Sequence, residues 1–204
     1  MHTEILTANQ TELLPLVKKF SKQYFLVGDT AIALYMGHRR SIDFDLFTYS
    51  GVKVKGIKYT LAKEGVDYGV IHEESDQLHI IVKKVKITFF SYPYPVKHPV
   101  RFENIISMPE LIDLAAKKAF ALGGRAKWKD YVDIYFLLKD HFSIQEIESK
   151  AEKLFHTAFN AKLFRQQLAW YDDIDYSEEV EFIKEDPGKE EIKRFLTGVA
   201  TTAL

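Results

Sequence analysis

No cysteine occurs among the 204 residues, which excludes a disulfide framework and any thiolate-held metal. No apolar run approaches the length of a membrane span, and the N-terminus lacks the charged-then-apolar pattern of a secretion signal. Excess charge is missing too. Lys and Arg number 28 against 29 Asp and Glu, a formal net charge of −1, so no overall field steers the chain to nucleic acid or membrane. There is no internal repeat and no low-complexity tract. These absences leave a soluble, cytoplasmic, non-membrane protein as the expectation. What is plentiful is aromatic: 15 Phe and 11 Tyr imply a bulky core. The length suffices for one domain, or one and a half.

The most informative stretch runs from Val27 to Phe47, VGDTAIALYMGHRRSIDFDLF. The short apolar run Tyr24 to Val27 reads as a buried strand. Gly28-Asp29-Thr30 then turns the chain, Ala31 to Met36 is helix-competent, and Gly37 is a plausible stop. From Ile42 to Phe47 the pattern is apolar-Asp-apolar-Asp-apolar. Strand side chains alternate faces, so Asp43 and Asp45 share one face and Ile42, Phe44 and Leu46 the other. Paired carboxylates repel unless a cation or proton separates them. Such a pair beside a Gly-x-Thr turn suits Mg²⁺ and a nucleoside triphosphate: carboxylate oxygens for the hard metal, backbone N–H groups of Gly28 and Asp29 and the Thr30 hydroxyl for phosphates. The bland alternative is a solvated sheet face with an ordinary Thr cap.

Elsewhere the pattern predicts a helix over Thr11–Phe20 with Pro15 in its first turn. Val52–Glu64 suits strand or helix, with helix preferred and Gly65 its stop. Strands follow at Tyr68–Glu73, Leu78–Val82 and Val85–Tyr92, as a hairpin-type meander. Pro93, Pro95 and Pro99 form a stiff connector, dividing an α/β part (1–100) from a helical part (101–204). Ser107-Met108-Pro109-Glu110 reads as a helix start, running to Gly123-Gly124. Further helices are expected at Lys127–Leu138, from a Ser143/Glu146 capping box to Phe155, at Ala161–Tyr171, and after Asp186-Pro187. The acidic stretch Asp172–Asp186 reads as a solvated loop or strand.

Two segments resemble a known family. Val27–Phe47 is similar to the signature of polymerase-β-like minimal nucleotidyltransferases: Gly-Gly-Ser/Thr, a short helix, then an acidic-x-acidic strand. HRRSIDFDLF more narrowly resembles the AbiEii/AbiGii toxin type, and DLAAKKAFALGGRAKWKDYVDIYFLL, from Asp113 to Leu138, resembles that family's helical Lys…Arg…Lys-Asp-x-x-Asp segment. The resemblance implies an α+β minimal nucleotidyltransferase fold, a small mixed sheet flanked by helices, then a helical C-terminal half, with the nucleotide in the cleft between them.

It further implies transfer of a nucleoside monophosphate from an NTP to a hydroxyl of RNA, tRNA or protein, with Mg²⁺ at Asp43 and Asp45 in a two-metal arrangement. Gly28, Asp29, Thr30, Arg39, Lys118 and Arg125 would contact the nucleotide. Lys118 and Asp130 would join the aspartates in catalysis, Asp130 orienting a basic side chain or the acceptor hydroxyl. A salt-bridge network between helices is the alternative for Lys118, Arg125, Lys129, Asp130 and Asp133. If phosphate binding is the role, Lys118→Met should leave stability nearly unchanged. By analogy the chain would be the toxin of a toxin–antitoxin pair, with a cognate antitoxin as partner. The sequence departs from the pattern twice: Asp29 replaces the second turn glycine, and Thr88 stands where a third carboxylate is expected. These departures support a second reading, a catalytically degenerate nucleotide- or partner-binding protein of the same fold.

Overall fold

The computed structural model describes residues 1–202, and the chain divides into two compact units, Met1–Glu110 and Leu111–Leu204. The first is built on a five-stranded mixed sheet. Helix α1 (Ala8–Phe20) starts on a capping box in which Thr7 accepts from the Gln10 backbone and the Gln10 side chain reaches back. That box moves the start ahead of the expected Thr11, so Pro15 lies inside the helix rather than in its first turn. Strand β1 (Phe25–Val27) leads directly into α2 (Gly28–Met36), which Gly37 ends in the left-handed conformation, φ 63°. Gly28-Asp29-Thr30 is thus the first turn of a helix, not a separate turn before one.

Strand β2 (Phe44–Thr48) follows, then α3 (Val54–Lys63), whose Ile57 and Leu61 are buried. The ambiguous segment is a helix, as preferred. Strands β3 (Gly69–Glu73), β4 (Gln77–Val82) and β5 (Val85–Ser91) form the meander. It joins the sheet through its last strand: the order is β1-β2-β5-β4-β3, with β5 parallel to β2 and the other pairs antiparallel. Phe44, Leu46, Leu78, Ile80, Ile87 and Phe89 line the inner face with no exposed surface. Burying a side chain of this size stabilises by about 1.5–3 kcal/mol. Phe20 and Tyr24 meet Phe89 edge-on at 4.9 and 5.1 Å between ring centres.

Beyond the prolines a small hairpin, β6 (Val100–Phe102) and β7 (Ile106–Met108), closes the first unit. Ser107 is therefore a strand residue hydrogen-bonded to His98 at 3.0 Å, not a helix cap, and the next helix begins at Leu111. Buried Phe102, Ile106 and Met108 explain why strand wins there.

The second unit is helical: α4 (Leu111–Leu122), α5 (Trp128–Asp140), α6 (Ile144–Phe155), α7 (Ala161–Leu168) and α8 (Lys189–Ala200). The Ser143/Glu146 capping box forms as read from the sequence. Glu148 and Arg165 make a buried two-pronged pair between α6 and α7, at 2.6 and 2.8 Å. The acidic stretch is almost wholly irregular, tied to α5 by Trp128 N–H donating to the Asp175 carbonyl.

Candidate active site

Alternation places Phe44 and Leu46 in the core and leaves Asp43 and Asp45 on the opposite side. Ile42 departs from the expected pattern. It precedes the first paired residue, is 59% exposed, and does not share the buried face. Backbone anchoring fixes Asp43 instead. The Thr30 hydroxyl donates a hydrogen bond to its carbonyl and contacts the Ser41 hydroxyl at 2.8 Å. The Gln10 side chain adds a weaker bond at 3.4 Å. Thr30 is thus fully buried with its hydroxyl engaged in holding the Asp43 strand.

Gly28 approaches Asp45 so closely that a Cβ there would lie 2.2 Å from Asp45 Oδ2, and its φ is +72°. No other residue type fits both constraints. The carboxylates crowd together. Burial pushes the Asp45 carboxyl up to about 6, and the Asp29 and Asp43 carboxylates add to the rise. Lys86 and the Thr88 hydroxyl oppose it. Lys86 Nζ sits 2.9 Å from Asp43 Oδ2, from the adjacent parallel strand. Asp29 does not stand alone beside the helix start: Arg39, itself buried, pairs with it at 3.1 Å. Arg39 also donates to the Arg40 carbonyl at 3.0 Å.

The register settles the position of residue 88. Thr88 pairs with Asp45 across β2 and β5, so hydroxyl and carboxylate are side by side on one face. Next along the row come His79 on β4 and His72 on β3. Lys86 and these histidines escaped the sequence reading, the histidines because only strand order brings them onto the aspartates' sheet face. Period-two counting from Thr88 would have found Lys86.

The donor set suits a divalent cation. Two hard carboxylates share a face, the Cβ-free Gly28 lets one of them lie against the start of α2, and their mutual repulsion is relieved by positive charge.

In the second unit α4 and α5 bring the other residues together. Lys118 Nζ lies 2.7 Å from Asp130 Oδ1 and 2.9 Å from Asp133 Oδ2. Arg125, 47% exposed, meets Asp130 through Nε at 2.9 Å and Nη2 at 3.2 Å. Both aspartates are fully buried and Lys118 nearly so. The segment between α4 and α5, which includes Gly123 and Gly124, carries Arg125 back onto Asp130, on the next helix. Lys129 and Lys127 together grip Glu178 in the acidic stretch. Burial alone would raise the Glu178 carboxyl, but the two lysines prevail and hold it at about 2.

Residues 16–203 match the family described as nucleotidyl transferase AbiEii toxin, type IV toxin–antitoxin system. An uncharacterized Aquifex aeolicus protein, aq_aa25, is 27% identical over 176 residues, 84% of each chain. Among solved structures, JHP933 of Helicobacter pylori superposes with a TM-score of 0.57 at 16% identity, over 94% of this chain and 88% of that one. The nucleotidyltransferase toxin MenT4 of Mycobacterium tuberculosis gives 0.61 at 11% identity, over 94% and 81%. At such identities these likenesses speak for the fold, which is that of nucleotidyltransferases followed by a helical C-terminal half. Nucleotidyl transfer is the family's general chemistry, and no helix among the described residues is long and apolar enough to cross a membrane. With a match spanning nearly its whole length, the chain belongs to the AbiEii nucleotidyltransferase toxin family.

Proposed function

We propose that the protein transfers a nucleoside monophosphate from a Mg²⁺-bound NTP to an acceptor hydroxyl on RNA, tRNA or protein, as the toxin of a toxin–antitoxin pair with a cognate antitoxin as partner. The observation that carries this is the Asp43–Asp45 pair. It sits on one strand face, held through Thr30 and Ser41, with Asp45 packed directly against the Gly28 backbone and its carboxyl pushed up to about 6 by burial and neighbouring carboxylates. Three carboxylates, Asp29, Asp43 and Asp45, set against two cations, Arg39 and Lys86, leave an excess of negative charge that favours a further cation.

Asp43 and Asp45 would hold the metal, which when bound would polarise the phosphates and favour ionisation of the attacking hydroxyl. Backbone N–H groups at the start of α2, from Gly28 through Thr30, face the phosphates with the positive end of the helix. Thr30 serves by fixing Asp43 rather than by lending its hydroxyl. Arg39 neutralises Asp29 so that an acidic residue in that first turn does not repel phosphate. Arg125, half exposed, supplies a phosphate contact. Asp130 orients Arg125 and Lys118, and Lys118 keeps the two buried aspartates compatible with each other.

The test is a radiolabelled-NTP transfer assay against total RNA, tRNA and the protein itself, with wild type, Asp45→Asn and Thr88→Asp in parallel. Mg²⁺-dependent labelling lost in Asp45→Asn supports the reading; labelling that survives Asp45→Asn overturns it. Thr88 favours the second reading, a nucleotide- or partner-binding protein with little transfer, because a hydroxyl beside Asp45 cannot supply a carboxylate's charge. NTP binding without transfer, and transfer gained in Thr88→Asp, would decide for it.

A further inference from the structure

The row that begins at Asp45 and Thr88 does not end there. Antiparallel pairing of β4 with β5 sets His79 opposite Thr88, and pairing of β3 with β4 sets His72 opposite His79. All four side chains share the sheet face that carries the aspartates. Two strand spacings separate Asp45 from His79, roughly 10 Å backbone to backbone.

His79 is also held in one tautomer. Gln77 donates its amide N–H to Glu74 Oε2 at 3.2 Å, which fixes which end of the amide is oxygen. That oxygen, Gln77 Oε1, lies 3.2 Å from His79 Nε2 and can only accept, so Nε2 carries the proton. The lone pair is left on Nδ1. Glu74 also holds His72, its Oε1 3.1 Å from His72 Nε2, and the two imidazole rings meet edge to face at 5.4 Å. A base oriented by a second group, itself oriented by a carboxylate, is the arrangement that activates hydroxyl nucleophiles in general.

We propose that His79, positioned by Gln77 and Glu74, takes the proton from the acceptor hydroxyl during transfer. This rests on the nucleotidyl-transfer reading and adds to it the group that receives the proton. The acceptor O–H proton passes to His79 Nδ1 as the acceptor oxygen bonds to the α-phosphorus. The bond from that phosphorus to the bridging oxygen breaks, and pyrophosphate leaves with the electron pair. The imidazolium then loses its proton to water. Thr88, lying between Asp45 and His79, lines the path of the acceptor hydroxyl rather than binding charge.

The surroundings keep the imidazole neutral and able to accept. Burial lowers the His79 pKa first, then His72 from β3 and Lys86 from β5. Those two, with Gln77 on its own strand and Thr88 opposite, are the groups facing it.

The experiment combines steady-state transfer kinetics with NMR of the His79 ring in the full chain, for wild type, His79→Gln, Gln77→Glu and Asp45→Asn. His79→Gln should lower kcat about a hundredfold or more with the KM for NTP little changed. Asp45 titrates in a neighbouring pH range, so the diagnostic is Gln77→Glu. Its carboxylate should raise the His79 pKa by about one unit and move the acidic limb of the pH–rate profile up with it. The ¹⁵N shifts of wild type should report the Nε2–H tautomer. The inference fails alone if Asp45→Asn abolishes transfer while His79→Gln stays within a few-fold of wild type, or if the proton is found on Nδ1. If wild type itself neither binds Mg²⁺-NTP nor transfers, the parent reading falls and this one with it.

Discussion

An aspartate whose carboxyl titrates near 6 instead of 3.8 weakens the fold wherever it is ionised. Between those two values the unfolded chain has released the proton and the folded chain still holds it. Stability therefore falls as pH rises from about 4 to 6, and the loss is complete above 6. Two pKa units correspond to at most about 3 kcal/mol, less whatever the partly open site recovers through solvent. Asp45→Asn, isosteric and uncharged, should accordingly raise unfolding stability by about 1–3 kcal/mol at pH 8 and leave it unchanged near pH 4. Urea titrations at the two pH values measure this, and a destabilised variant at pH 8 would show that burial and carboxylate repulsion do not dominate the site. Gly28 bears the opposite constraint. With φ +72° and Asp45 Oδ2 only 2.2 Å from the place a Cβ would take, Gly28→Ala must displace either the helix start or the carboxylate. It should destabilise by about 1–3 kcal/mol and abolish Mg²⁺ binding in calorimetry, whereas Gly56→Ala, with nothing nearer than 3.7 Å, should do neither.

At the scale of elements, the pairing of α4 with α5 turns on Lys118. Its ammonium separates two fully buried aspartates, at 2.7 and 2.9 Å. Lys118→Met is thus expected to cost about 3–5 kcal/mol in a thermal or denaturant melt, since it removes one partner from a buried ionic cluster. An unchanged melt, which the phosphate-ligand alternative read from the sequence requires, would mean the aspartates take up protons at little cost. Arg125→Gln removes a half-exposed partner and should cost under about 1 kcal/mol. The reason for the difference explains what the sequence could and could not reveal. Period-two alternation made Asp43, Asp45, Phe44 and Leu46 legible, and helical spacing with turn residues made α5, α6 and the Gly123-Gly124 break legible. Neither pattern reports burial of a charge, so phosphate ligand and salt bridge looked alike at Lys118. Ser107 was misread for a related reason: its Ser-x-x-Glu spacing is a sound cap signal, but pairing between Val100–Phe102 and Ile106–Met108 claimed the residue first. Strand order was invisible as well, which hid His79 and His72. Because Lys86 already offers Asp43 a cation at 2.9 Å, Lys86→Met should tighten Mg²⁺ binding by about three- to tenfold in calorimetry. Weaker binding would instead make Lys86 a phosphate contact.

For the molecule as a whole, folding, protonation and ligand binding are linked through the first unit, which holds Asp43 and Asp45 within residues 1–110. A ligand that binds only the folded state, present at a hundred times its Kd, adds about 2.7 kcal/mol of stability. For Mg²⁺-NTP at pH 8 this should appear as a rise of roughly 5–10 °C in the melting of the part containing the aspartates. Metal binding needs Asp45 ionised. With its carboxyl titrating near 6, only about a tenth is ionised at pH 5, so affinity drops about tenfold. At the same ligand concentration the increment should then shrink by about 1.4 kcal/mol, to about half its value at pH 8. In Asp45→Asn it should be small at both pH values, and in His79→Gln it should match wild type, because His79 is assigned to the acceptor and not to the nucleotide. Calorimetric melts with and without Mg²⁺-NTP at pH 5 and pH 8 provide the measurement. An increment that ignores pH would place the metal on groups other than Asp45, and one that survives Asp45→Asn would remove this carboxylate from the site altogether.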